Sequence, residues 1–334
     1  MGKTVREVAR GVYQLSVQSP DGRLFRINSY LLQGTQGYVL IDTCWNTEIN
    51  LENLIAALKT LGSKLTDIAK IVITHVHADH FGMAGKIKQL SPQTRIYTQR
   101  KEAEFIESRY IRFDELQHKM AVLLQGHGVP ESESNILGTA SMPILQYVAV
   151  NMPDHVFDGG EVITNGFFNL EVVLTPGHSP GHICLYEPEK QLLFSGDHVL
   201  PSITPNIPFH VQSGSNPLKD YFKALRKVEI LPVSQVLPAH GKVFTNLKER
   251  IAEITESHHQ RLEEILEIIG NEKYMAFDIA AKVKWNIGDQ SWDKLPPNHR
   301  RAAVLETLAH LNYLEKGGKI CKKTKDNKTL FSLA

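Results

Sequence analysis

Ile71-Val72-Ile73-Thr74-His75-Val76-His77-Ala78-Asp79-His80 is the stretch on which the reading of this chain turns. An apolar, β-branched run ends in four metal-capable side chains, His75, His77, Asp79 and His80. The run predicts a buried strand. Gly82 and Gly85 then predict an eased turn into a helix. Imidazoles spaced i, i+2 on extended backbone face the same side, so His75 and His77 can share one ion. Asp79 and His80 follow on the turn and can face a second. A His-rich surface loop would account for one or two histidines, but not for this order after this strand.

Further candidates stand at the ends of other apolar runs. Leu170-Glu-Val-Val-Leu-Thr-Pro-Gly-His178 predicts a strand with a histidine on the turn behind it. Leu192-Leu-Phe-Ser-Gly-Asp197 ends in a carboxylate, Val236-Leu-Pro-Ala-His240 in an imidazole, and Tyr38-Val-Leu-Ile-Asp42 in another carboxylate. Imidazole and carboxylate without thiolate suit zinc, and also iron or manganese.

This ordered set resembles the metal motifs of metallo-β-lactamase-fold hydrolases, over about residues 10–245. The resemblance implies an α/β fold, an αββα sandwich, with two divalent metal ions. One ion would be held by His75, His77 and His178, the other by Asp79, His80 and His240, with Asp197 bridging. Asp42 would support a ligand or the loop that carries the cluster. His182 and His198 adjoin ligand motifs and are expected to support or pack behind them. Zinc β-lactamases of the main group carry cysteine where Asp197 stands, so the chain is similar to the glyoxalase II-like thioesterases, lactonases and nucleases instead. Flavin-linked di-iron reductases need a flavodoxin-like module, and none is visible. Persulfide dioxygenases keep similar motifs with one iron, which leaves the metal open.

The chemistry such a centre implies is hydrolysis. Two ions about 3.5–4 Å apart hold a bridging water as hydroxide and clamp the substrate and leaving-group oxygens. Asp79 and Asp197 are the candidate catalytic carboxylates, Asp79 as a pure ligand or as the group that orients water and shuttles a proton. Fold and metal set do not choose among thioester, lactone and phosphodiester. A thioester or related ester is the leading substrate class. The alternatives are a lactone, single-stranded RNA or another phosphodiester, and a non-enzymatic winged-helix interaction or ligand-sensing role.

Composition narrows the setting. The chain has 334 residues, a net charge of +1 and 42% hydrophobic residues, so no global field announces nucleic acid or membrane. Cys44, Cys184 and Cys321 show no paired spacing. The N-terminus lacks an apolar signal core, and no run reaches the length of a membrane span. A reducing cytoplasm is the expected location, and homodimerisation is left open.

Along the chain, Gly11–Val17 and Leu24–Gln33 flank the turn signal Ser19-Pro-Asp-Gly22. Asn50–Leu61 predicts an amphipathic helix with Leu51, Leu54, Ile55 and Leu58 inward. Residues 1–245 are expected to form the catalytic domain. Within it, Lys101–Val150 is a candidate cap, including a polar, turn-rich Gly126–Ser141. Tyr147 is a candidate substrate contact from that interval. Asn206 and His210 are further candidates, on the proline-stiffened loop Leu200–His210. Residues 246–270 predict a linker helix with a capping box at Asn246 and Glu249 and a stop at Gly270. Residues 271–334 predict helix, helix and hairpin, a winged-helix-like domain separable from the catalytic one. Twelve Lys/Arg against seven Asp/Glu there give an excess of five positive charges. Lysines also protect exposed strand edges, and no aromatics interleave for base stacking.

Overall fold

The computed structural model describes residues 5–20, 26–140, 142–285 and 291–334. Two sheets stack at its centre. The first has seven strands in chain order: β1 (Arg6–Ala9), β2 (Val12–Gln18), β3 (Arg26–Leu32), β4 (Tyr38–Ile41), β5 (Ile68–Val72), β6 (Arg95–Gln99) and β7 (His155–Phe157). β1 to β4 pair antiparallel, and β4 to β7 pair parallel. The second comprises β8 (Val162–Thr164), β9 (Asn169–Leu174), β10 (Ile183–Glu187), β11 (Leu192–Gly196) and β12 (Gln235–Pro238), in the order β12-β11-β10-β9-β8. The expected hairpin between β10 and β11 is formed. Asp21, Gly22 and Leu24, where a turn and a strand start are expected, lie outside the described residues.

Strand periodicity sorts side chains into layers. Val39 and Ile41 of β4 enter the space between the sheets, while Leu40 faces the outer helices. On β10, Ile183 and Leu185 face inward and Cys184 and Tyr186 outward. Outside the first sheet lie α1 (Glu48–Thr60), α2 (Ala78–Phe81), α3 (Ala84–Leu90) and α4 (Arg100–Ile106), contributing Leu54, Leu58, Phe81, Ile87 and Ile106 to one cluster. The helical face of α1 is rotated from the expected one. Ile55 is exposed, and Asn50 is buried because its amide donates to the Trp45 carbonyl.

The 101–150 interval is mostly helical: α4, a π-helical turn at Glu107–Ile111, α5 (Phe113–Gly126), α6 (Glu131–Gly138) and a 3-10 stretch at Met142–Tyr147. The polar run after Gly126 is thus largely a helix, begun after Pro130 with Glu131 and Glu133 at its positive end; Ser141 lies outside the described residues. Phe105 and Tyr110 pack on the first sheet's helices, and Met120, Leu124 and Leu137 enter the core outside the second sheet. Packing therefore takes up most of the apolar side chains expected of a cap.

That second outer core is built by α7 (Pro217–Glu229), α8 (Leu247–Ile269), α9 (Ala276–Lys282) and α10 (Pro297–Lys316). Layers run helix, sheet, sheet, helix, as expected. Asn246 makes no side-chain cap, so the predicted capping box is not formed, whereas Gly270 ends α8 at φ 46°. β13 (Ile320–Lys325) and β14 (Lys328–Leu333) close a hairpin through Asp326 and Asn327, both at positive φ. The order after Gly270 is the expected helix, helix, hairpin. Its core, however, is not separate: Val304, Leu308, Leu311 and Phe331 share one cluster with Leu193, Tyr221, Val236 and Leu262.

Candidate metal centre

The end of β5 delivers the histidine cluster, and Asp42 at the end of β4 holds it. Asp42 accepts from the Thr74 amide at 2.8 Å, the Thr74 hydroxyl at 2.9 Å and His80 Nδ1 at 2.8 Å. Its own backbone sits at φ 55°, a left-handed conformation that costs a non-glycine residue energy. This one carboxylate fixes the loop and the His80 tautomer, so His80 Nε2 points into the centre. Gly82 and Gly85, expected to ease the turn, are needed there for close backbone approach and not for positive φ. Gly82 has φ −51°, and a Cβ there would stand 2.6 Å from the Tyr147 carbonyl. At Gly85 a Cβ would stand 2.2 Å from the Ala149 carbonyl, so both positions need close backbone approach.

The seven expected side chains converge. His77 Nδ1 lies 2.8 Å from His75 Nε2 and 3.0 Å from His178 Nε2. His240 Nε2 lies 3.3 Å from Asp79 and 3.5 Å from Asp197. Asp197 also lies 3.6 Å from His80 Nε2 and 3.5 Å from His178 Nε2. Three overlapping groups can each hold a metal ion: His75, His77 and His178; His75, His80 and Asp197; Asp79, His80 and His240. His80 Nε2 and Asp197 Oδ1 are buried without a hydrogen-bond partner among the described residues. Polar atoms left in that state are costly unless a cation or water answers them, so the donor set fits metal.

The outer edges of these groups are held from behind. His178 Nδ1 donates to the Asn206 carbonyl at 2.8 Å, and His240 Nδ1 to the Arg26 carbonyl at 2.8 Å. His182 Nε2 accepts the Asp197 amide at 3.1 Å, while its Nδ1 meets the Thr175 hydroxyl at 2.8 Å. His182 is therefore hydrogen-bonded to the backbone of Asp197. His198 packs against Tyr221, and neither ring nitrogen has a partner among the described residues.

Electrostatics divide the histidines. Burial first, then neighbouring imidazoles, push His75 well below its usual pKa; burial and then Arg109 do the same to His77. Both are neutral at pH 7, with lone pairs to give. Burial alone would lower His80, but Asp42, Asp79 and Asp197 outweigh it and raise the ring. Burial likewise opposes the rise of His240 to about 9, which Asp197 and Asp79 drive. Asp197 stays well below the usual carboxylate range despite its burial, because His240, His80 and His178 surround it. The carboxylates thus draw positive charge into this spot, and protons or metal ions both meet that demand.

Three weaker candidates fare differently. The Asn206 amide is turned to Glu306 Oε2 at 2.5 Å, while its carbonyl steadies His178. His210 Nδ1 accepts the Gln212 amide at 3.1 Å, and burial followed by Arg109 and Arg301 lowers the ring to about 3. Tyr147 packs beside Trp45 and Ala78, under the loop that carries the cluster. Cys44 meets the Ser29 hydroxyl at 2.9 Å, and burial pushes its thiol up to about 12.

Glu102 had no signal in the sequence. It is buried at the start of α4 and accepts the Val76 amide at 2.9 Å and the Gly181 amide at 2.8 Å. One side chain thereby ties the His75–His80 loop to the loop bearing His178. Arg109, on the π-helical turn, is the second residue the sequence did not flag. A cleft of about 530 Å³ opens at His240, with Arg6, Arg26 and Lys242 in its wall.

Among the described residues, no helix is long and apolar enough to cross a membrane. The family model described as the metallo-beta-lactamase superfamily matches residues 22–240. The probable metallo-hydrolase YqjP of Bacillus subtilis (strain 168) is 26% identical over 298 residues, 86% of this chain and 86% of that protein. An atrochrysone carboxyl ACP thioesterase of Aspergillus fumigatus is 29% identical over 112 residues, 34% of this chain and 33% of that protein. The crystal structure of a metallo-beta-lactamase family protein from Thermus thermophilus is 26% identical. It superposes with a TM-score of 0.82 over 98% of this chain and 100% of that one.

Proposed function

Because the chain belongs to the metallo-beta-lactamase superfamily and is a metal-dependent hydrolase, we propose that it uses two metal ions, zinc for preference, to hydrolyse a thioester or related ester. The observation that carries the dinuclear reading is Asp197, one carboxylate within 3.6 Å of His80, His178 and His240. In this reading His75, His77 and His178 hold one ion, and Asp79, His80 and His240 the other. Bound zinc supplies a Lewis acid and a water acidic enough to react near neutral pH. Asp79 orients that water and takes up its proton. Asp42 and His182 keep His80 and Asp197 aimed, through the hydrogen bonds given above. Water adds to the carbonyl carbon, the carbon–sulfur bond breaks, and the thiolate leaves and gains a proton.

Two observations support a thioester over a nucleic acid. The basic hairpin is partly engaged within the chain, with Lys322 3.6 Å from Glu315 and the Lys328 amine donating to the Gln125 carbonyl. The relative named as an acyl-carrier thioesterase points the same way. Cys44, Cys184 and Cys321 are all unpaired, which suits a cytoplasmic setting.

The test is a parallel screen on one metal-loaded sample: acyl thioesters of anionic and neutral thiols, lactones, phosphodiesters and single-stranded RNA. Thioester turnover with little salt dependence, unaffected by neutralising Lys322, Lys323 and Lys325, is the expected result. RNA cleavage that exceeds thioester turnover, and falls with salt and with those changes, would replace this reading by the nuclease one.

A further inference from the structure

Where α8 meets α10, a second group of metal-capable side chains lies outside the centre described above. His258 comes from α8, and Glu306 and His310 come from α10, with one donor atom of each within 4.8 Å of the others. Glu306 and His310 are spaced i, i+4, so they share one helix face. His258 is 1% exposed and His310 0%.

Neutral donors and acceptors alone hold these three side chains together. His310 Nδ1 donates to the Glu306 carbonyl at 2.8 Å, which fixes the tautomer and leaves an Nε2 lone pair facing inward. That atom lies 3.1 Å from His258 Nδ1. His258 Nδ1 therefore donates to it, and a divalent ion between the two would take the place of that proton; His258 Nε2, on the other edge of the ring, is buried without a hydrogen-bond partner among the described residues. The Glu306 carboxylate is answered by the neutral amide of Asn206. Arg261, whose charge reaches Glu306, is paired with Glu264 at 3.2 Å. Burial raises Glu306 to about 7 and lowers His310 to about 4, so an ionised Glu306 has no charged imidazole beside it at neutral pH.

We propose that His258, Glu306 and His310 form a further divalent-cation site, suited to zinc, between α8 and α10. Two imidazoles and one carboxylate are the donor set of zinc sites that keep a position open. Facing helices that contribute a carboxylate and imidazoles one turn apart are how helical bundles build metal sites. The outer nitrogen of His310 on a carbonyl, and the carboxylate held by an amide, are the supports such ligands require. Zinc–nitrogen bonds of about 2.0–2.1 Å in a tetrahedron place neighbouring nitrogens about 3.3 Å apart, close to the spacing seen here. The Asn206 side chain holds Glu306 and its carbonyl holds His178. A cation here therefore braces the loop that orients a ligand of the main centre.

The test uses the full chain, loaded with zinc, desalted and assayed for zinc per chain, with circular dichroism as the check on folding. Glu306→Gln keeps the side-chain shape and an acceptor for Asn206 but removes the charge. It is expected to lose one zinc equivalent relative to the parent chain, and so is His310→Gln. With all three ligand groups of the main centre broken by His75→Ala and His80→Ala, one equivalent is expected to remain and to vanish on adding Glu306→Gln. Cobalt loaded into that background should give tetrahedral visible absorption. Equal zinc content in the parent chain and folded Glu306→Gln or His310→Gln overturns the site. So does a folded His75→Ala/His80→Ala chain that holds no metal. The measurement is a difference in stoichiometry, so it stands apart from whether the main centre takes one ion or two.

Discussion

Asp197 sits where three histidines need the same counter-charge, so its removal should cost more than that of any one imidazole. Asp197→Ala is expected to lower hydrolysis by at least about 100-fold, the scale for losing one group that steadies developing charge, and to reduce bound metal. Near-normal turnover on the substrate found by the screen would contradict it. Asp42 acts at one remove. Its Asn variant keeps one acceptor oxygen but must present an NH₂ to either Thr74 or His80, both of which donate to it. Asp42→Asn is therefore expected to weaken metal affinity about 10–100-fold, read by metal titration; unchanged affinity would mean His80 is oriented without it. These residues were visible in the sequence because imidazole and carboxylate at strand ends are a chemical signature. Asn206 was visible only as a polar side chain on a stiff loop. The group that matters there is its carbonyl, which every residue type possesses.

Elements are joined at points where one group answers several. Asp154, just before β7, accepts from the Ile96 amide of β6 at 2.8 Å, from Lys88 of α3 at 2.9 Å and from Arg95 at 3.0 Å. Burial would raise its pKa, but these partners win and hold it at about 2. The folded value is below the unfolded value of about 3.9. The contribution is therefore complete above that value and is lost as pH falls through about 2. With Arg95 56% exposed, solvent screening reduces the contribution to about 1 kcal/mol. Urea unfolding should show Asp154→Asn less stable by about that amount at pH 7, with the gap closing toward pH 2. A gap independent of pH would assign the effect to packing. Gly82 joins elements differently, because a Cβ would stand 2.6 Å from the Tyr147 carbonyl and 2.8 Å from that of Cys44. Gly82→Ala is expected to cost about 1–3 kcal/mol by overpacking, seen as a lower denaturation midpoint at unchanged slope. The helix after His77 and the strands around it follow from periodicity. The face of α1 does not, since Asn50 takes a buried place that Ile55 would fill by hydropathy alone.

Across the whole molecule, the region after Gly270 is continuous with the outer core of the second sheet. The Phe209 amide donates to the Leu305 carbonyl at 2.9 Å, and the Asn312 side chain to the Ser215 carbonyl at 2.8 Å. A chain ending at Gly270 would expose the apolar faces of α7 and α8 that α10 covers. Such a truncation is expected to aggregate or to lose a cooperative unfolding transition, measured by calorimetry and light scattering. A monomeric, cooperatively folding truncation that keeps its metal would restore the separable domain that the helix, helix, hairpin pattern suggests.

The strands and the metal-capable side chains at their ends were legible in the amino-acid order, whereas the layered sandwich and the grouping of seven of those side chains into one centre were implied by the resemblance to a known family. Strand alternation repeats every two residues, and metal-binding groups must be of particular types at particular strand ends. Those signals are local. Glu102 reaches Gly181 across 79 positions, and Asn206 reaches Glu306 across 100. Nothing within a window of neighbouring residues marks either partner. The shared core after Gly270, the pairing of α8 with α10 and the grouping of His258, Glu306 and His310 belong to the same class. They arise when amphipathic faces far apart in the chain bury against one another, and the same hydropathy pattern permits several such pairings until the folded chain selects one.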